Sequence, residues 1–207
     1  MHTPGLRLLP PAVTAIVFAG LTIAVAAHAG ALIHADAALV NSARSASLDH
    51  PALHSLMAAL TRTGGSAVLI LAGLVTVAAL LAGRLWRAAA FVVVAAVSTT
   101  AVRWAVRAAV ARPRPAEQLA PAEGWAYPSG HTTSSTLAAL VAVALLLRLV
   151  DPGPRRSAGI AVVTVWAVGV GLSRVFLAVH WPTDVIGGWL LAATVVPLCA
   201  VAIRLRD

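Results

Sequence analysis

Two histidines in this chain stand beside residues that could make them reactive. One closes the run Pro128-Ser129-Gly130-His131. The other lies in Ser173-Arg174-Val-Phe-Leu-Ala-Val-His180-Trp-Pro-Thr-Asp184. A neutral imidazole held at one nitrogen by a carboxylate presents the other nitrogen as a nucleophile or base. Pro182 suits the first turn of a helix, which would set Asp184 about one turn beyond His180. Ser129 reads as a helix cap, and Gly130 has no side chain to block an anion approaching the free N–H groups of a helix start. A third cluster, Arg107-Ala-Ala-Val-Ala-Arg112-Pro-Arg114-Pro115, follows an apolar stretch, and its planar guanidinium donors match phosphate oxygens.

Each cluster also has an ordinary reading: arginines snorkel at membrane edges, serines cap helices, and a His–Asp pair can be structural. Together they suggest a site that grips an anionic group and attacks it.

The elements that must position these residues are apolar. Of 207 residues 60% are hydrophobic and 11% charged, which does not fit an ordinary soluble domain. All fifteen basic residues are Arg, giving a net charge of +8. They sit at the ends of apolar segments instead of forming one solvated patch, which argues against nucleic acid as a partner. Cys199 is the single cysteine and lies in an apolar segment, so it reads as a packed core residue with no intrachain disulfide. His2, His28, His34, His50 and His54 show no metal-ligand pattern, and no metal or cofactor is expected.

A spanning helix needs about 20 apolar residues. Six such spans are predicted, at about Pro11–Ile33, Ser66–Ala82, Trp86–Val106, Thr133–Leu149, Ala158–Leu172 and Val185–Ile203. The first is too long for a signal-peptide core. Between the first two, Leu53, Leu56, Met57 and Leu60 recur at helical spacing, suggesting a short amphipathic helix on the membrane surface that ends at Gly64-Gly65. Four prolines mark Arg112–Ser129 as a non-helical connection, and Asp151-Pro152-Gly153-Pro154 as a tight turn. Within that connection Glu117 and Glu123 could pair with Arg112. Most tryptophans lie near span ends, as interfacial anchors do, and Gly187-Gly188 suggests close helix contact. The fold class expected is all-α, a single domain over residues 1–207.

Arginine placement bears on orientation. Eight arginines fall on the side of the termini and seven on the other. With Arg107, Arg114 and Arg174 set aside for the anion site the second count drops to four, so both termini are expected in the cytoplasm and the motifs outside.

The three clusters, in this order and on one side, resemble the signature of the type 2 phosphatidic acid phosphatase superfamily: Lys-x6-Arg-Pro, Pro-Ser-Gly-His and Ser-Arg-x5-His-x3-Asp. The chain departs at the first position, where Arg107 replaces the usual Lys, keeping the charge but changing donor geometry. The resemblance implies a membrane lipid phosphatase. In it His180, oriented by Asp184, attacks phosphorus, and His131 protonates the departing lipid oxygen. Arg107, Arg114, Ser129, Gly130 and Arg174 bind the phosphate. Polyprenyl diphosphate, phosphatidic acid, phosphatidylglycerophosphate and diacylglycerol diphosphate all present a terminal phosphate to such a clamp. Two rivals are less favoured. An anion transporter would place polar groups near mid-membrane, and the vanadate-binding haloperoxidases of the same superfamily are soluble.

Overall fold

The structure, a computed structural model, describes residues 4–205, with side chains from residue 9 onward. His2 and Arg206 therefore lie outside the described residues. Eight helices follow in order: α1 (Pro4–Ala26), α2 (Gly30–Asp49), α3 (Pro51–Thr63), α4 (Ser66–Ala82), α5 (Trp86–Val110), α6 (Gly130–Leu149), α7 (Pro154–Phe176) and α8 (Pro182–Ala202). No strand occurs among the described residues. Five of the helices are long and apolar enough to cross a bilayer, and six spans result if α3 and α4, bent by 43° at Gly64-Gly65, count as one. At about 1.5 Å per residue the 17 residues of α4 alone fall short of a hydrocarbon core of roughly 30 Å.

The N-terminal third differs from the sequence expectation. The first span does not reach Ile33: the helix stops at Ala26, His28 takes φ 53°, and the chain restarts as α2. The polar region thus holds two helices instead of one. The buried residues Asp36, Val40 and Ser47 lie along one stripe of α2, and because two of the three are polar, a search for apolar periodicity passes over it. The expected short helix is α3; Leu53, Met57 and Leu60 of its stripe pack on Leu177 and Val179, while Leu56 points outward, 54% exposed. Further on, the fourth span starts three residues earlier than Thr133, because Ser129 caps it at Gly130.

One apolar core joins Leu80, Phe91, Ala95, Val141, Val196 and Cys199 of α4, α5, α6 and α8. Side chains such as Ile16, Leu71, Val97 and Val165 point outward and are well over half exposed, as a lipid-facing belt requires. Lipid tails are as apolar as this core, so close packing must hold the helices together more than escape from water does. Small residues permit it: a Cβ on Gly188 would lie 3.0 Å from Thr132 Cβ and 3.1 Å from the Ser129 carbonyl oxygen, so α8 approaches α6 closely only with glycine there.

The Arg112–Ser129 connection is not helical, and backbone bonds tie it down. Leu119 N donates to Leu177 O, Ala126 N to Arg112 O and Ser129 N to Asp184 O, at 2.8–3.0 Å. The C-terminal ends of α5 and α7 and the N-terminal ends of α6 and α8 therefore meet under one loop.

Candidate active site

His180 lies in the turn between α7 and α8, 2% exposed. Pro182 opens α8 and Asp184 occupies its third position. There the carboxylate reaches back as a capping group: Asp184 Oδ2 accepts the Trp181 N–H at 2.8 Å and faces His180 Nδ1 at 3.3 Å. That separation suits a neutral ring donating from Nδ1. Burial, with a smaller push from Arg114 and Arg174, holds the His180 imidazole down at about 4 against the upward pull of the Asp184 bond and charge. Near pH 7 the ring is uncharged, with its free lone pair on Nε2.

Arg114 covers that lone pair. Its Nη1 stands 2.9 Å from His180 Nε2 and donates to Val179 O at 2.7 Å, while Nε donates to Gly124 O at 2.8 Å. An anion that drew the guanidinium away would free Nε2. Arg174, 3% exposed at the end of α7, donates from Nη1 to the Thr61 hydroxyl of α3, and its Nε has no partner among the described residues. An unpaired buried guanidinium N–H is costly unless something else accepts from it.

Arg107 stands at the rim. Its Nη2 donates to Glu123 O at 3.3 Å and its guanidinium lies 5.0 Å from the Trp104 ring. Gly124, at φ +66°, makes room for it, since a Cβ there would come within 2.1 Å of Arg107 Nη2. Ser129 is fully buried and accepts from Thr132 Oγ1 at 2.9 Å, with Thr132 N further off at 3.5 Å. Gly130 begins α6, and His131 follows it, half-buried, with no hydrogen bond from its ring to the described residues.

The structure thus sets His180 between Asp184 and Arg114, in contact with each, brings Arg174 and the start of α6 to the same end of the bundle, and leaves Arg107 bonded to the covering loop. Several participants are absent from the sequence reading. Arg112 does not pair with Glu117 or Glu123. Its Nη1 donates to Asp184 Oδ1 at 2.8 Å and its Nη2 to Asp36 Oδ2 at 2.7 Å. Glu117 pairs instead with Arg44 at 2.8 Å, and Glu123 offers its backbone carbonyl to Arg107 and Arg114. Arg103, one turn before Arg107, lies against Gly130, within 3.0 Å of where a Cβ would stand. The signal available for Asp36 was its charge just beyond the end of the first predicted span. The tryptophans are also not uniform anchors: Trp166 donates to the Thr63 hydroxyl and Trp181 to Pro113 O.

Comparison with known proteins points the same way. The PAP2 superfamily profile matches residues 85–206. Phosphatidylglycerophosphatase B of Escherichia coli K12 is 42% identical over 80 residues, 39% of this chain and 28% of that protein. An undecaprenyl-diphosphatase of Sulfolobus acidocaldarius is 44% identical over 69 residues, 33% of this chain and 29% of its own length. The matched stretches therefore span under a third of those relatives. In three dimensions the chain resembles a transmembrane PAP2-type phosphatidylglycerolphosphate phosphatase from Bacillus subtilis. The TM-score is 0.84 at 25% identity, covering 96% of this chain and 98% of that one. Aquifex aeolicus LpxE shares the fold, with a TM-score of 0.61 at 22% identity over 80% of this chain and 92% of its own.

Proposed function

The chain belongs to the PAP2 superfamily, and on that premise we propose that it is a single-domain membrane enzyme hydrolysing the terminal phosphate of a lipid phosphate or diphosphate. The observation that carries this reading is the buried His180–Asp184 pair with an arginine on the free ring nitrogen, placed where four apolar helices end together. A phosphate entering between Arg114 and Arg174 would take donors from both, uncovering His180 Nε2 for in-line attack on phosphorus. Bond formation to Nε2 breaks the bond to the lipid oxygen, which takes a proton from His131. Water then hydrolyses the phosphohistidine, with His131 as base. Ser129 and the backbone N–H groups opening α6 add fixed donors for the transferring oxygens.

The substrate belongs to the class exemplified by polyprenyl diphosphate, phosphatidic acid and phosphatidylglycerophosphate. Both termini in the cytoplasm and the site facing outward is the orientation favoured by the arginine bias, and an outward site suits recycling of a polyprenyl carrier. Detergent-solubilised protein should release phosphate from at least one lipid of this class with chelator present throughout. Failure across the whole panel would remove the assignment.

Orthovanadate should inhibit competitively at about millimolar or below, because its five-coordinate form can bond His180 and resemble the transition state. Insensitivity would count against a nucleophilic histidine. Arg107 gives a graded test. Arg107→Lys keeps the charge and should hold activity within about tenfold, roughly 1.4 kcal/mol of barrier, whereas Arg107→Ala should lose more. Lys as damaging as Ala would show that the planar group, stacked near Trp104 and bonded to Glu123 O, is needed for its shape.

A further inference from the structure

Asp36 is 2% exposed on α2, two helices away in sequence from any motif, yet three hydrogen bonds tie it to Thr183 at the active-site end of α8 and to Arg112 in the loop after α5. Its Oδ1 accepts the Thr183 N–H at 3.0 Å, its Oδ2 accepts Arg112 Nη2 at 2.7 Å, and the Thr183 hydroxyl also donates to it. Arg112 Nη1 reaches Thr183 Oγ1 at 2.7 Å and Asp184 Oδ1 at 2.8 Å. One chain of bonds therefore runs Asp36–Arg112–Asp184–His180.

A buried ion pair is poor value as a tether, because desolvation consumes much of the attraction. Nor does α2 depend on this one: Ser47 Oγ donates to Phe176 O at 2.8 Å and Arg44 pairs with Glu117 at 2.8 Å. Charge gives it another use. Arg112 alone would neutralise Asp184 and weaken its hold on His180. With Asp36 on the far side of the guanidinium, the three groups sum to one negative charge, and Asp184 keeps its own for the imidazole.

We propose that Asp36 is a positioning residue of the phosphatase reaction: by balancing Arg112 and anchoring Thr183, it preserves on Asp184 the negative charge that stabilises His180 as the ring becomes positive on attack. This rests on the phosphohistidine reading above. In the step itself, the Nε2 lone pair forms the bond to phosphorus while the P–O bond to the lipid breaks, and the ring carries the positive charge until the phosphoryl group leaves. Asp36 touches neither substrate nor the reacting atoms.

The experiment compares Asp36→Asn, Arg112→Gln and the double variant Asp36→Asn/Arg112→Gln in detergent, on the lipid phosphate that wild type turns over best. Wild-type turnover tests the reading, and the ratios between variants test the inference, so the two can fail separately. Asp36→Asn should lower kcat at least tenfold with KM within twofold, since Arg107, Arg114 and Arg174 still hold the phosphate. The double variant restores the net charge and should run at least threefold faster than Asp36→Asn. A structural tether would instead make the double variant no better than the worse single. If Asp36→Asn does not insert, Thr183→Val decides: it cuts the hydroxyl link without changing charge and should lower kcat about threefold at constant KM. Unchanged kcat in inserted Asp36→Asn or Thr183→Val, an effect confined to KM, or a double variant with no recovery would each overturn the proposal.

Discussion

His180→Ala should release phosphate from the preferred lipid at least about 10³-fold more slowly than wild type while still entering the membrane, a loss of roughly 4 kcal/mol or more in transition-state stabilisation. The proposed covalent step leaves no substitute: His131 sits at the start of α6 with no hydrogen bond to a carboxylate among the described residues, and its assigned role is proton transfer. His180 belongs to a turn rather than to the middle of a span, and its ring replaces no lipid-facing packing, so the truncated protein should insert and remain folded. The measurement is phosphate release by purified protein, with yield from detergent as the folding control. Turnover within about tenfold of wild type would exclude a phosphohistidine at this position.

Arg174→Ala should follow, with kcat about 10²- to 10³-fold lower, the size seen when one fixed donor to a developing negative charge is removed. Arg174 is buried at the end of α7, held from one side by Thr61, and carries an Nε with no acceptor among the described residues. A buried guanidinium N–H without a protein acceptor is costly, and a bound anion would complete its bonding, so the loss should appear chiefly in turnover of a bound phosphate. Arg174→Lys keeps the charge but offers a compact ammonium in place of a fork, and should recover only part of the rate. Thr61→Ala, by contrast, frees one guanidinium arm without removing charge and should cost far less than Arg174→Ala. If Arg174→Ala matches wild type in kcat, the arginine serves packing between α3 and α7 and not the phosphate.

The motif residues were legible because they are rare polar types at fixed local spacing in an otherwise apolar chain. The His180–Asp184 contact follows from a proline-led helix start, and Ser129 caps α6 because the next residues leave free N–H groups there. Four of the six predicted spans correspond directly to α5, α6, α7 and α8, since twenty apolar residues in a row leave few alternatives. The N-terminal third was less readable. α2 buries a stripe in which two of three buried residues are polar, so neither the length rule nor apolar periodicity reveals it, and α3 packs most of its stripe on protein where the same pattern on lipid would look identical.

What the sequence by itself determined is therefore local: which segments are apolar enough for a bilayer, which rare polar residues stand at the ends of those segments, and that Asp184 lies one turn from His180. The tertiary structure alone decided which arginine does what. Arg112 and Arg114 are two residues apart on one proline-stiffened strand of chain, yet Arg114 turns to His180 Nε2 and Arg112 to Asp184 and Asp36. Their side chains diverge because the loop is fixed between α2 and α8 by contacts more than 60 residues distant in sequence. Charge is visible in a sequence, but the partner that neutralises it is set by which helices pack together, and in a membrane that depends on close fit between surfaces no linear pattern records.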